Sequence, residues 1–395
     1  AFERAAAGVA EVGPHLGSSM DKYQAAAMGG NGRVYAIPFA LAGKRVLEFD
    51  PCTNDAEEIG EELADGNARY VAAAVAGNGK VFAVPCNARR VLEVDPWNRQ
   101  VREVGQELPY GGLKYQAAVL AADGCVYGVP FNARRFLRID VVSSEALEVG
   151  PLLQNGGFKF LAAAAAANGR IYALPFDARR TLEFDPAHGV VREIGPEFPE
   201  GGAKYASAVL ADNGRIYGLP CGARRVLEIC PGAGDAREIG PELPPGIKYQ
   251  AAAATTSPTG GRVFGIPFDA ERVLEVVPAT GDVREVGPVL PGGDRYAAAV
   301  VDESGQVVYG LPCNARRVCV VQAVGRTVDV REVGAELSGP DDRYQAAVLG
   351  ANSRVYAIPY NAARVLEVDT TRCRDLAMEV VADRGDVASQ LHALD

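Results

Sequence analysis

Histidine is scarce in this chain of 395 residues: only His15, His188 and His392 occur, and Trp97 is the single tryptophan. None of the three histidines falls at a recurring position near the face on which the loops described below open. His188 is expected in a solvated turn on the opposite side, so imidazole acid–base chemistry finds little support. The eight cysteines (Cys52, Cys86, Cys125, Cys221, Cys230, Cys313, Cys319 and Cys373) include no C-x-x-C pair, which weakens metal-knuckle and redox-motif readings. No serine sits in a nucleophile elbow, and neither a phosphate-binding loop nor zinc-ligand spacing is present. No motif asks for a cofactor. The most apolar stretch, 160–167, is too short and too rich in alanine to span a bilayer, so membrane insertion is not expected.

What is present is an ordinary soluble composition, 48% hydrophobic and 23% charged, with a net charge of −10 that disfavours nucleic acid as a partner. The chain starts at Ala1 without a methionine, as a processed or trimmed form does, and its compartment is not legible. Its dominant feature is a repeat. A basic residue followed by an aromatic recurs at Lys22-Tyr23, Arg69-Tyr70, Lys114-Tyr115, Lys159-Phe160, Lys204-Tyr205, Lys248-Tyr249, Arg295-Tyr296 and Arg343-Tyr344. The spacing is 44 to 48 residues, the period of a solenoid or a propeller.

Each unit holds four short apolar segments separated by turn residues; in the third they are 115–121, 125–130, 136–140 and 146–149. Asn-Gly or Asp-Gly closes the first hairpin of most units, and an Asn/Asp-Ala pair turns the second. Helical periodicity is absent. These features predict an all-β, eight-bladed β-propeller with four antiparallel strands per blade, forming one domain over 1–395. Blades are expected to start near 22, 69, 114, 159, 204, 248, 295 and 343. Residues 6–13 match a fourth strand with no blade before it, since Glu11 precedes Tyr23 by the same 12 residues that separate Glu58, Glu103, Glu148 and Glu193 from their next aromatic. This segment is expected to close the ring, with 376–381 as its competitor and 370–395 as an appendage.

The stretch NGxVYxxPxNAxRVLEVDP resembles the repeats of streptogramin-lyase-like and other YVTN- or NHL-type propellers at the level of strand and turn residues. The double glycine of kelch repeats, the Trp-Asp pair of WD repeats and the tryptophan docking motif of quinoprotein dehydrogenases are missing. The lyase resemblance implies a histidine base at the open face, where this chain is expected to offer none.

Two repeated basic features map to the open face. One is the ring Lys22, Arg69, Lys114, Lys159, Lys204, Lys248, Arg295 and Arg343. The other is the Ala-Arg-Arg turn. Its first slot carries Arg89, Arg134, Arg179, Arg224 and Arg316, with Lys44 in the first unit and Glu271 or Ala363 in two others. Its second slot is always arginine: Arg45, Arg90, Arg135, Arg180, Arg225, Arg272, Arg317 and Arg364. With the LEVDP acids at the other end of the strands, an electrically two-faced molecule is expected. The functional reading is a non-catalytic binding or scaffold propeller that docks an anionic ligand, either an acidic protein segment or an anionic glycan. For the second-slot arginines, repetition favours structural pairing with glutamates such as Glu93, Glu103 or Glu107 over ligand contact. The rival readings are a lyase or hydrolase acting on an acidic polysaccharide in the central funnel, and a structural subunit of a larger assembly.

Weaker candidates remain. The repeated tyrosine is expected in the core, with sugar stacking as its alternative. Gln24, Gln116, Gln250 and Gln345 could line the channel. Asp50, Asp95, Asp140, Asp185 and Asp369 read as turn initiators, with calcium binding as a distant alternative. Cys86, Cys221 and Cys313 share a slot with Phe and Tyr and read as buried hydrophobes.

Overall fold

The computed structural model describes residues 8–373, apart from 41, 42, 65, 110, 155, 156 and 259. It contains eight four-stranded antiparallel sheets, each built from consecutive strands except the last. The inner strand of each sheet packs against the inner strand of the next, and that of the eighth meets that of the first. The chain is a repeat-type β-propeller of eight blades. In blade 3 the strands are Tyr115–Leu120, Val126–Pro130, Phe136–Ile139 and Ala146–Val149, within a residue or two of the sequence expectation. The difference arises where turns take over: Gly124 N–H donates to Ala121 and Ala121 N–H to Cys125, closing the first hairpin one residue early.

Ring closure follows the N-terminal segment. Val9–Val12 pairs antiparallel with the third strand of blade 8, Val9 opposite Val368 and Val12 opposite Val365. The competing segment 376–381 and the expected appendage beyond 373 lie outside the described residues. The closing strand also repeats the side-chain contacts of an ordinary outer strand. Tyr344 donates to Glu11 at 3.4 Å, as Tyr23 donates to Glu58 at 3.1 Å and Tyr115 to Glu148 at 3.1 Å. Closing the sheet in this way hides an edge that would otherwise template aggregation.

The core lies between blades rather than within one. One cluster joins Tyr35, Ile37, Val46 and Ile59 of blade 1 to Tyr70, Val81, Ala83 and Leu92 of blade 2; another joins Val34, Leu47 and Phe49 to Tyr356, Ile358 and Val365 across the seam. The inner-strand tyrosines are fully buried, so the core reading of that ring holds. Cys86, Cys221 and Cys313 are buried too, and burial pushes the Cys86 and Cys221 thiols up to about 11. All described cysteines are free.

Candidate cationic face

The loops that join strands 2 and 3, and those that lead from one blade to the next, open on one face, here called the upper face. Tyr23 pairs with Pro38 and Val46 with Ile59, so both loop sets leave the same sheet end. The turn Asn or Asp holds this face together. Asn87 accepts from Leu113 N–H at 2.7 Å, Asn132 from Phe158 at 2.8 Å and Asp269 from Asp294 at 2.8 Å. Each latched residue has a positive φ, 56°, 55° and 48°, and immediately precedes a basic residue of the ring.

That geometry corrects the expected open cationic ring. Lys22, Arg69, Lys114, Lys159, Lys204, Lys248, Arg295 and Arg343 are only 2–8% exposed. Their loops fold over them, and most cap carbonyls there: Lys22 donates to Ser19 at 2.6 Å, Lys114 to Gly111 at 3.0 Å and Lys204 to Pro199 at 2.9 Å. Burial pulls the lysines below their ordinary range, and Lys159, with Arg134 as a second cause, is held at about 8.

Six of the second-slot arginines bind a backbone carbonyl, and a glutamate of the expected kind is a partner only in blades 4 and 7. Arg90, Arg135, Arg180 and Arg225 donate to the carbonyls of Gly105, Gly150, Gly195 and Gly240, the glycine that ends strand 4 of the same blade, at 2.5–2.9 Å. Arg272 and Arg364 bind Gly287 and Gly13 in the same way. Arg180 lies 3.2 Å from Glu197 as well, Arg317 sits 3.9 Å from Glu336, and Arg45 holds the slot in blade 1. A charged donor on a carbonyl that the strand leaves unpaired locks the outer edge to the second turn.

The first slot is where the units differ. Lys44, Arg89, Arg179, Arg224 and Arg316 form ion pairs with Glu62, Glu107, Glu197, Glu242 and Glu336, one equivalent glutamate per blade. In blade 3 that glutamate position is Leu152. Arg134 is exposed, donates only through Nε to the Leu153 carbonyl at 3.2 Å, and has no ion pair among the described residues. A cavity of about 330 Å³ beside it is lined by Lys114, Asn132, Arg134, Arg135, Glu148 and Leu152. Leu152 is 58% exposed, and Phe158, 41% exposed, stacks on Phe131 with centroids 4.9 Å apart.

Several other expectations need correction. The molecule is not two-faced in the way anticipated, because every blade sets a strand-4 glutamate on the upper face: Glu11, Glu58, Glu103, Glu148, Glu193, Glu238, Glu285 or Glu332. The lower face holds its own cations, which the sequence reading missed. Arg33, Lys80, Arg170, Arg215, Arg262 and Arg354 bind the third-strand glutamates Glu48, Glu93, Glu183, Glu228, Glu275 and Glu367. The strand-4 arginines Arg102, Arg192, Arg237 and Arg284 bind from the other side. His15 lies on the upper face after all, in the slot that holds Glu62 and Glu107 elsewhere, where Gly17 N–H donates to its Nδ1 at 3.1 Å. His188 sits in a lower turn 3.1 Å from Asp185, as expected, and His392 lies outside the described residues.

The repeated aspartates do begin turns. Asp50 accepts from Cys52 N–H at 2.9 Å, Asp95 from Trp97 at 3.0 Å and Asp140 from Val142 at 3.0 Å. Among the described residues no group of three or more His, Cys, Asp or Glu side chains is placed to hold a metal ion. The central channel, about 400 Å³, is walled by Gln24, Gln250, Gln345, Ser207, Val71 and alanines from all eight inner strands, none of them ionisable. Gln24 donates to Gln345 at 3.2 Å across the seam. Gln116 is on an inner strand but not in that wall. Its one hydroxyl is that of Ser207.

No protein-family model matches the chain, and no curated protein matches it in sequence. Solved structures match it in shape. The Dos1 propeller aligns with a TM-score of 0.64 over 93% of this chain and 96% of that one, at 9% identity. Virginiamycin B lyase from Staphylococcus aureus aligns with a TM-score of 0.58 over 75% of this chain and 93% of its own, at 13% identity. Kuenenia stuttgartiensis hydrazine synthase aligns at 0.52, over 78% and 97%, again at 13% identity. The likeness is one of fold. These neighbours differ widely in what they do, as one fold hosting many sites leads one to expect. Among the described residues no helix is long and apolar enough to cross a membrane.

Proposed function

We propose that this propeller is a non-catalytic binding module that docks an acidic segment of a partner protein on its upper face, at blade 3. One observation carries the reading: Arg134 keeps the repeated cation while Leu152 replaces the glutamate that neutralises it in five other blades. An exposed guanidinium without its carboxylate, beside exposed Leu152 and Phe158, suits a partner carboxylate flanked by an apolar side chain. Buried Lys159 and Lys114 add positive potential behind it.

The test is a titration of the full chain with a Glu/Asp-rich peptide that also contains phenylalanine, at low and at physiological salt. Binding that weakens with salt, and falls about tenfold or more in Arg134→Glu, is expected. Binding that is absent at low salt, or indifferent to the substitution, removes the reading.

A further inference from the structure

We propose that blade 3 of one chain docks on blade 6 of a second copy, and blade 6 on blade 3 in return, so that two propellers close upper face to upper face about a two-fold axis. The inference rests on the docking reading of blade 3 and names its partner, the turn that carries Glu271 in another copy of this chain.

Blade 6 is the charge-reversed counterpart of blade 3. Glu271 stands in the first slot, where Arg134 stands, and Val289 replaces the repeated glutamate as Leu152 does. The backbone register is the same: Leu290 N–H donates to the Glu271 carbonyl at 2.8 Å, as Leu153 N–H donates to that of Arg134 at 2.8 Å. Glu271 and Arg134 are both exposed, and Val289 is 52% exposed against 58% for Leu152. Glu271 acts electrostatically on buried Arg295 but has no ion pair among the described residues. Its neighbours add to the need for a cation. Asp269 accepts from Asp294 N–H at 2.8 Å, and the Asp294 carboxyl is pushed up by burial and then by Asp269 and Asp342. A guanidinium brought to that turn offsets the mutual repulsion of these carboxylates. Blade 8, with Ala363 and His15 in the two slots, offers no carboxylate there.

Position turns this complementarity into a closed dimer. Arg134 and Glu271 occupy equivalent places three blades apart on one ring. A two-fold axis in the plane of the upper face, passing between blades 4 and 5, exchanges blade 3 with blade 6 and blade 4 with blade 5. Each closure therefore forms two Arg134–Glu271 pairs and brings each Leu152 toward a Val289 of the other copy. The blades between them add no unpaired first-slot charge, since Arg179 binds Glu197 and Arg224 lies 3.6 Å from Glu242. An open head-to-tail contact would use each patch once and leave one bare at either end.

The experiment is sedimentation velocity of the full chain over a range of concentrations, with Arg134→Glu and Glu271→Arg measured alone and mixed in equal amounts. The wild type should sediment as a dimer that dissociates on dilution. Both residues are exposed, so each variant should keep the wild-type melting temperature. Each variant alone meets like charge at both contacts and should dimerise roughly a hundredfold more weakly, about tenfold per contact. Mixed, the two variants offer each other opposite charges at both contacts and should recover a one-to-one dimer. A wild type that stays monomeric or grows beyond two chains, variants that dimerise as well as the wild type, or a mixture that fails to recover overturns the proposal. Titrating the Glu271→Ala variant with the acidic peptide keeps the two readings apart. Peptide bound by a chain that never dimerises overturns this proposal and leaves the docking reading standing. A wild-type dimer whose Glu271→Ala variant is monomeric and takes no peptide upholds this proposal and confines blade 3 to its own counterpart.

Discussion

Substituting Gly240 by alanine tests the lock that holds each outer strand to its blade. Gly240 has φ +76°, and a Cβ there would stand 2.5 Å from Val283 Cβ and 2.7 Å from its Cγ2, on the outer strand of the next blade. Its carbonyl accepts from Arg225 at 2.5 Å. A non-glycine residue in the left-handed region costs roughly 1–2 kcal/mol. Overpacking against a side chain fixed on a neighbouring strand adds about 1–3 kcal/mol. Gly240→Ala should therefore lose roughly 2–5 kcal/mol, read as a lower urea midpoint with an unchanged slope. Gly232→Ala is the control, since nothing lies within 4 Å of its Cβ position and its φ is ordinary; a change within about 0.5 kcal/mol is expected there. If the two variants unfold together with the wild type, the terminal glycine is not the constraint described.

Two further outcomes concern charge. Glu228 is fully buried and bound by Arg215 and Arg237, both at 2.8 Å. Removing one member of a buried pair costs about 3–5 kcal/mol when the charges left behind stay buried. The two arginine side chains are 40% and 63% exposed and can rehydrate, so Glu228→Gln should cost less, about 2 kcal/mol by denaturant titration. Burial pushes this carboxyl up, but hydrogen bonds from Arg215, Arg237 and Tyr217 outweigh it and hold it below its ordinary value. Its stabilisation is therefore full above the unfolded value of about 4.3 and fades as pH falls through the lower folded value. The gap between variant and wild type should close on acidification, and a gap that persists in strong acid contradicts this. Lys159, held at about 8 by burial and then by Arg134, is cationic below that pH and neutral above it. Peptide affinity at blade 3 should thus fall between pH 7 and pH 9, and Lys159→Arg should flatten the profile; a flat wild-type profile excludes Lys159 from the site.

Ring architecture was legible because it is written in side chains with fixed spacing. Glu11 keeps its distance from Tyr23 as Glu58 does from Tyr70, and the outer-strand register of Val9–Val12 followed from that. The partner of the second-slot arginines was not legible, since a backbone carbonyl leaves no residue type to recognise; only the glycine that ends strand 4 betrays it. Burial of Lys22 and its equivalents was missed because an interchange of lysine with arginine looks like a surface charge. In fact six of the eight are preceded by a residue latched to a turn Asn or Asp, which turns the loop over them. The lower-face ion pairs were readable: Glu93 and Arg102, or Glu228 and Arg237, stand nine residues apart and directly opposite in the sheet. The one break in the pairing rule, Leu152 opposite Arg134, becomes visible only once the first slot and the blade-to-blade loop are seen to meet.

Leu152→Glu gives the most direct test of the docking claim, because it restores to blade 3 the carboxylate that other blades possess. The measurement is the affinity of the acidic peptide for this variant beside the wild type, with the melting temperature of both. Neutralising Arg134 should cut binding about tenfold or more while the melting temperature holds or rises slightly. Undiminished binding by a variant whose Arg134 is paired would contradict the account.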